Sequence, residues 1–410
     1  AGAWCGQNKY LSAIKNAFQN FMPLTIAGAI GVLWCNVLVN DQTGLGLFFK
    51  PIMALDFLNP AFQAVNFCTI SCITVGITLG IAQEIGVWNM GAERAGYIPG
   101  LVGLAAWLSV TNTSHMVDGA KEAFTGIAGN ELGATGLFTG MIIGVLSVEL
   151  FCFFEKQDAL KIKMPEQVPP GVARAFEVLV PATITLIITA CIGSACYNLT
   201  GLYLNDVIKN GIQGPLGAVG ATIPGVMIIY LVIMLFWLVG IHGNNMLSAV
   251  KEALFTPLAL ENVEAFNKGE TPKNIINMYF LQMCGEFGGS GVTIGLVIAI
   301  MIFGKREDNK AIATLSLVPG LFNINETVTF GIPMVLNPIL GIPFVFACLV
   351  TILVGYVLTV IGFCPVACLT VPWTTPPIVF GFLACGANVM GAVTQAILIV
   401  VSTVIYVPFL

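Results

Sequence analysis

Apolar runs long enough to cross a bilayer alternate with short polar stretches along the first half of the chain. They lie near 21–39, 62–83, 97–112, 134–154, 175–197 and 221–241. A helix needs about 20 apolar residues to span the hydrocarbon core, so each run predicts a transmembrane helix. The stretch 156–174 carries Lys156, Lys161, Lys163 and Arg174, whereas the loop 40–60 carries only Lys50. Cationic loops stay in the cytoplasm, which puts 156–174 inside. Four crossings earlier, the N-terminal segment with Lys9 and Lys15 then also lies inside, and its own charges agree.

The second half has a different pattern. Six crossings return the chain to the cytoplasm near His242, and a charged stretch follows from Lys251 to Lys273. The cluster from Lys305 to Lys310 also reads as cytoplasmic, yet only one clear run, 287–304, lies between the two. An even count requires a second crossing or a re-entrant hairpin built around Gly288-Gly289-Ser290-Gly291. Region 313–341 is apolar but broken by Pro319, Asn323, Asn325, Glu326, Pro333, Asn337 and Pro338. Spans resume at 339–362 and 388–410, with the proline-interrupted stretch 366–386 between them. Irregular backbone at membrane depth survives only where it is buried in protein or lines a watery cavity. Discontinuous segments of this kind are where transporters hold substrate.

Composition agrees. Of 410 residues, 57% are apolar and 9% charged, against about 25% charged in a soluble domain. The apolar residues suffice for on the order of ten crossings. With 45 glycines and 21 prolines, a long coiled coil is excluded. The expectation is an all-α polytopic membrane protein with about ten transmembrane helices and re-entrant hairpins in its second half, divided into 1–215 and 216–410. Gly76 and Gly80 share one helix face, as do Gly136, Gly140 and Gly144. Such spacing permits close helix contact, within a subunit or between two.

Several chemistries drop out. No run of like charges suggests nucleic-acid binding. The twelve cysteines sit mostly in apolar stretches, where thiols behave as small hydrophobes. Neither His115 nor His242 is near a cysteine pair, so no metal site is expected. No phosphate-binding loop is present, because the glycine cluster Gly285 to Gly291 lacks a Lys; direct ATP use and a bound cofactor are not expected. The chain opens at Ala1 without Met or a signal-peptide pattern, and the true N-terminus is expected upstream.

Two segments concentrate polar groups at membrane depth: Phe236 to Asn245, which contains Trp237, His242, Gly243 and Asn244, and Phe322 to Gly331, which contains Asn325 and Glu326. Ionisable groups there are costly and need partners or a function. His242 reads equally as a capping residue, Glu326 as a bond to nearby amides, and Trp237 as an interfacial belt residue. Together they suit a sugar. A carboxylate accepts from two hydroxyls, Asn and His supply complementary groups, and an indole offers a flat platform for a pyranose. An anion would call for Arg, and Arg94, Arg174 and Arg306 all read as loop residues.

The stretch Asn323-Ile-Asn-Glu-Thr-Val-Thr-Phe-Gly-Ile-Pro-Met-Val-Leu-Asn-Pro338 resembles the signature of the membrane IIC component of the lactose/cellobiose/diacetylchitobiose family of the bacterial phosphotransferase system (PTS EIIC). Val239-Gly-Ile-His-Gly243 and Gly288-Gly-Ser-Gly291 match two further family segments, and Tyr10 to Phe18 with Met22 to Ile26 resembles the family's first helix and span. The resemblance implies a homodimer in membrane lipid, with multiple passes through the bacterial inner membrane and ten spans per subunit. The half 1–215 would supply the scaffold and dimer interface, and 216–410 a mobile substrate domain moving like an elevator. The sugar would be a β-linked disaccharide, phosphorylated by the phosphocysteine of a separate IIB protein. His242 and Glu326 would be catalytic and grip the sugar; Gly243, Asn244, Gly289, Ser290 and Asn325 would line the pocket, with Trp237 and Trp373 packing on the rings.

Three departures stand out. Thr327 replaces the usual proline after the signature glutamate, Glu286 before the glycine cluster is not expected, and no IIB or IIA domain lies within these residues. Two alternatives stay open on physical grounds: an ion-coupled symporter releasing unmodified sugar, and an intramembrane enzyme using His242 and Glu326 as base and acid.

Overall fold

A computed structural model describes residues 8–41, 46, 49–115, 124–165, 167–332 and 334–410. The principal helices are α1 Lys9–Leu33, α2 Ile73–Met90, α3 Ile98–Val110, α4 Ala134–Glu155, α5 Pro170–Thr200, α6 Ile223–Leu238, α7 Ser248–Asn267 and α8 Met278–Gly285, followed by α9 Ile294–Phe303, α10 Glu307–Leu321, α11 Glu326–Gly331, α12 Pro338–Val360, α13 Val379–Ala384 and α14 Val389–Tyr406. The strands β1 Ser114–His115 and β2 Phe124–Thr125 form a two-residue antiparallel ladder. Among the described residues five helices are long and apolar enough to cross a bilayer, and three bent pairs raise this to eight. Helix α3, at 13 residues, is shorter than a crossing requires, and 366–386 contains only the six residues of α13.

Polar side chains start several helices of the second half, and one of them, Asn337, was read as a break. Asn277 caps α8 by accepting from the N–H groups of Tyr279 and Phe280 at 2.9 and 3.1 Å. Asn337 caps α12 through Ile339 and Leu340, with Pro338 as its first residue. Asn388 caps α14 through Met390, and Thr222 caps α6 through Gly225. Each side-chain oxygen satisfies N–H groups that have no partner within the helix.

The chain forms two compact units. One holds Cys68–Leu216 and the segment ending at Leu24; the other holds Thr25–Phe67 and Gly217–Leu410. Thr25–Phe67, which the expected division at 215/216 places in the first half, belongs with Gly217–Leu410.

In the first unit α2, α3 and α4 pack at glycines. A Cβ on Gly103 would lie 2.3 Å from Ala82 Cβ, one on Gly140 would lie 2.2 Å from Thr78 Oγ1, and one on Gly76 would lie 2.2 Å from the Phe21 ring. These glycines thus serve contacts within the chain, the first of the two readings their spacing allowed. At the end of α4, Glu155 is held by Arg94 at 2.8 Å and Arg174 at 2.9 Å, with its side chain only 3% exposed. Arg174 also reaches Glu177 at 2.9 Å. Two of the three arginines read as loop residues therefore share the carboxylates of Glu155 and Glu177.

In the second unit a large apolar core gathers Phe280, Leu281, Met283, Phe287, Phe344 and Leu398. Amide side chains satisfy the irregular backbone around it. Gln395 Oε1 accepts from the N–H groups of Ile378 and Gly381, both at 2.7 Å, while its Nε2 donates to the Met283 carbonyl at 3.1 Å. Asn262 donates to the carbonyls of Asn274 and Ala367, and Asn277 donates to Ala367. Backbone groups that water cannot reach in a bilayer are bonded internally. The glycine cluster bends the α8–α9 span by 57°.

Candidate substrate site

Four segments of the second unit converge. After α6 ends, Gly240 turns the chain at φ +79° and brings His242 to the start of the short helix Gly243–Met246. Gly243 packs so closely on α6 that a Cβ there would lie 2.0 Å from the Ile233 carbonyl oxygen. His242 caps this helix: its Nδ1 accepts from the Asn245 N–H at 3.2 Å. That bond occupies the Nδ1 lone pair, so the neutral ring carries its proton on Nε2.

His242 Nε2 faces Glu326 Oε1 at 3.7 Å, and both side chains are partly open, at 37% and 48% exposure. This separation exceeds a hydrogen bond. One hydroxyl oxygen bridging them would accept from Nε2–H and donate to the carboxylate. Glu326 opens α11, with Asn325 before it as the cap position. Thr327 is therefore in the first helical turn, where a proline is tolerated.

The glycine cluster forms the opposing wall. Gly288, Gly289 and Gly291 have φ of +70°, +89° and +76°, values that side chains rarely adopt. Asn325 Nδ2 donates to the Ser290 carbonyl at 2.8 Å, and Asn244 Nδ2 donates to Ser290 Oγ at 2.9 Å. Asn323 accepts from the Gly288 N–H at 2.7 Å and donates to the carbonyls of Trp373 and Thr375. Its own φ of +63° is one that Asn tolerates better than most residues. The loop carrying Trp373 is thereby tied to the cluster.

The structure gives Trp237 a different place from the open platform expected of it. It is 2% exposed and packs against His242 with ring centroids 4.4 Å apart, and against Phe330 at 6.4 Å. It ends a tightly packed helix, so its ring backs His242 instead of facing a ligand. Trp373, 44% exposed, has the open ring. Gly243, Asn244, Gly289, Ser290, Asn325 and Glu326 are brought together with His242.

Sequence reasoning missed Lys251, which reads as the start of a solvated charged stretch. It is 6% exposed, ion-paired with Glu286, and donates to Asn244 Oδ1 at 3.2 Å. Tyr230 also donates to Glu286, at 2.7 Å. Glu286, the unexpected acid, is thus neutralised beneath the site. The oddity of Glu286 was the available signal, because a buried acid implies a nearby cation.

The family model for the EIIC component of the phosphotransferase system matches residues 15–348. The oligo-beta-mannoside-specific EIIC component of Bacillus subtilis (strain 168) is 34% identical over 98% of this chain and 89% of its own length. The lactose-specific EIICB component of Streptococcus mutans is 31% identical over 98% of this chain and 69% of its own length. The crystal structure of the transporter ChbC, the IIC component of the N,N'-diacetylchitobiose-specific phosphotransferase system, superposes with a TM-score of 0.90 at 29% identity, covering 99% of this chain and 94% of that one.

Proposed function

This chain belongs to the EIIC family of the phosphotransferase system, multi-pass membrane components that translocate sugar, and from that premise we propose that it carries a β-linked disaccharide gripped between His242 and Glu326. The observation that carries this reading is the 3.7 Å gap between His242 Nε2 and Glu326 Oε1, which suits one bridging hydroxyl. The names of the related proteins, for oligo-beta-mannoside, lactose and diacetylchitobiose, support a β-linked sugar.

Phosphoryl transfer comes from the phosphocysteine of a IIB protein, a partner that the EIICB name of one relative supports. The bridging hydroxyl attacks phosphorus, the S–P bond breaks, the O–P bond forms, and the hydroxyl proton passes to Glu326. Because the bond from Asn245 occupies His242 Nδ1, His242 acts as donor to the hydroxyl and Glu326 as acceptor of its proton. Asn244, Ser290 and Asn325 hold further hydroxyls, and the open ring of Trp373 stacks on the sugar. The unit containing Gly217–Leu410 is the substrate unit in this reading, and that containing Cys68–Leu216 is the scaffold of a homodimer in membrane lipid.

The test is uptake into vesicles reconstituted with the chain. With phosphorylated IIB inside, the product should be sugar phosphate, unaffected by collapse of proton or sodium gradients. Gradient-driven accumulation of free sugar without IIB would instead identify a symporter. Binding to cellobiose, lactose and diacetylchitobiose, with maltose as the α-linked control, tests the linkage.

A further inference from the structure

Beneath the sugar site, Lys251 on α7, Glu286 at the end of α8 and Tyr230 on α6 meet in one bonded group. A buried ion pair is weak support for stability, because apolar residues of similar size often serve as well or better. Its geometry suggests another use. An asparagine amide can present either its oxygen or its NH₂ to a neighbour, and the two presentations have nearly the same shape. Lys251 has only donors, so its 3.2 Å contact fixes Asn244 Oδ1 toward the ammonium and Nδ2 toward Ser290 Oγ at 2.9 Å. Ser290 Oγ then accepts, which leaves its O–H free to donate. Asn325 Nδ2 is already bonded to the Ser290 carbonyl, which leaves Asn325 Oδ1 as an acceptor.

We propose that Lys251, held by Glu286 and Tyr230, is a positioning residue that fixes the donor and acceptor pattern of the sugar site through the Asn244 amide. Neither Lys251 nor Glu286 touches the sugar. They determine which face of Asn244 meets Ser290, and so which hydroxyl arrangement the site accepts. The assignment rests on the sugar-binding reading above.

The test compares wild type, Lys251→Met/Glu286→Met, Asn244→Ala and the triple variant, each as purified full chain. Thermal unfolding and affinity for cellobiose and diacetylchitobiose are measured for all four. Removing both charges together avoids a stranded buried ion, so the double variant should unfold near the wild-type temperature. Its affinity should nevertheless fall by about tenfold or more, the effect of losing one charge-assisted hydrogen-bond arrangement. In the Asn244→Ala background the same two changes should remove no further affinity, because the amide they orient is gone. Wild-type affinity in the double variant would make the pair purely structural. An equal loss in both backgrounds would show that Lys251 acts without Asn244. Should the double variant fail to fold, Lys251→Gln/Glu286→Gln repeats the comparison without a stranded charge, since a glutamine at 251 offers both donor and acceptor and no longer fixes the Asn244 amide. Failure of wild type to bind any of these sugars would overturn the substrate reading itself, a result distinct from either loss pattern.

Discussion

Asn325 Nδ2 donates to the Ser290 carbonyl at 2.8 Å, joining the signature loop to the glycine cluster across 35 residues of sequence. The bond requires Gly289 beside it. A Cβ at Gly289 would lie 2.7 Å from both Cβ and Cγ of Asn325, at a φ of +89°.

Gly289→Ala should therefore do more than strain the backbone. Gly201 is a fitting control: its φ is +71° with nothing within 4 Å of an added Cβ. Gly201→Ala should cost about 1–2 kcal/mol of stability from left-handed strain alone and leave sugar affinity intact. Gly289→Ala should lose at least as much stability and most sugar binding. Equal affinities in the two variants would separate the Asn325–Ser290 contact from the site.

Glu326→Gln keeps the side chain's size but removes its charge. Losing a charge-assisted acceptor costs about 1.5–3 kcal/mol, or roughly 10- to 150-fold in affinity. The variant should assemble normally, and calorimetric titration with the preferred disaccharide should show this loss. Unchanged affinity would remove Glu326 from the sugar site.

His242→Gln tests the division of labour between the two residues. With Nε2–H as donor only, binding and phosphoryl transfer should fall by similar factors. A well-placed general base contributes about 10²–10⁴ in rate, so a transfer loss exceeding the binding loss by that margin would make His242 the base. Single-turnover transfer from phosphorylated IIB, beside equilibrium binding, separates the two.

In the unit that holds Cys68–Leu216, Arg174→Met should lower stability by about 1.5–3 kcal/mol, because Glu155 loses a charge-assisted bond in a nearly buried position. Arg94 remains to neutralise it, so the chain should still fold. Sugar affinity should not change. A thermal shift assay alongside a binding isotherm checks both halves of the statement.

Two spans of the first half were legible because their apolar runs are unbroken: 134–154 corresponds to Ala134–Glu155, and 175–197 lies within Pro170–Thr200. In the second half, Asn337 looked like an interruption, since only the tertiary structure shows which N–H groups it caps. The polar residues of the site were legible by chemical type, and the glycine cluster by its crowding. Lys251 was not, because its partner Glu286 lies 35 residues on and a lysine opening a charged stretch looks solvated. Trp237 was misplaced for a related reason: the sequence shows an indole but not which neighbours cover it.

The reach of Gln395 bears on how the protein is made. Its amide supplies the partners of Ile378, Gly381 and Met283, the last of them made 112 residues earlier. Until the last helix is synthesised and inserted, those backbone groups lack the bonds they hold in the finished fold, and hydrocarbon offers no substitute. The bonding of 278–384 is therefore complete only with the C-terminal helix in place. A chain stopped short of residue 395 lacks the Gln395 partners of all three groups.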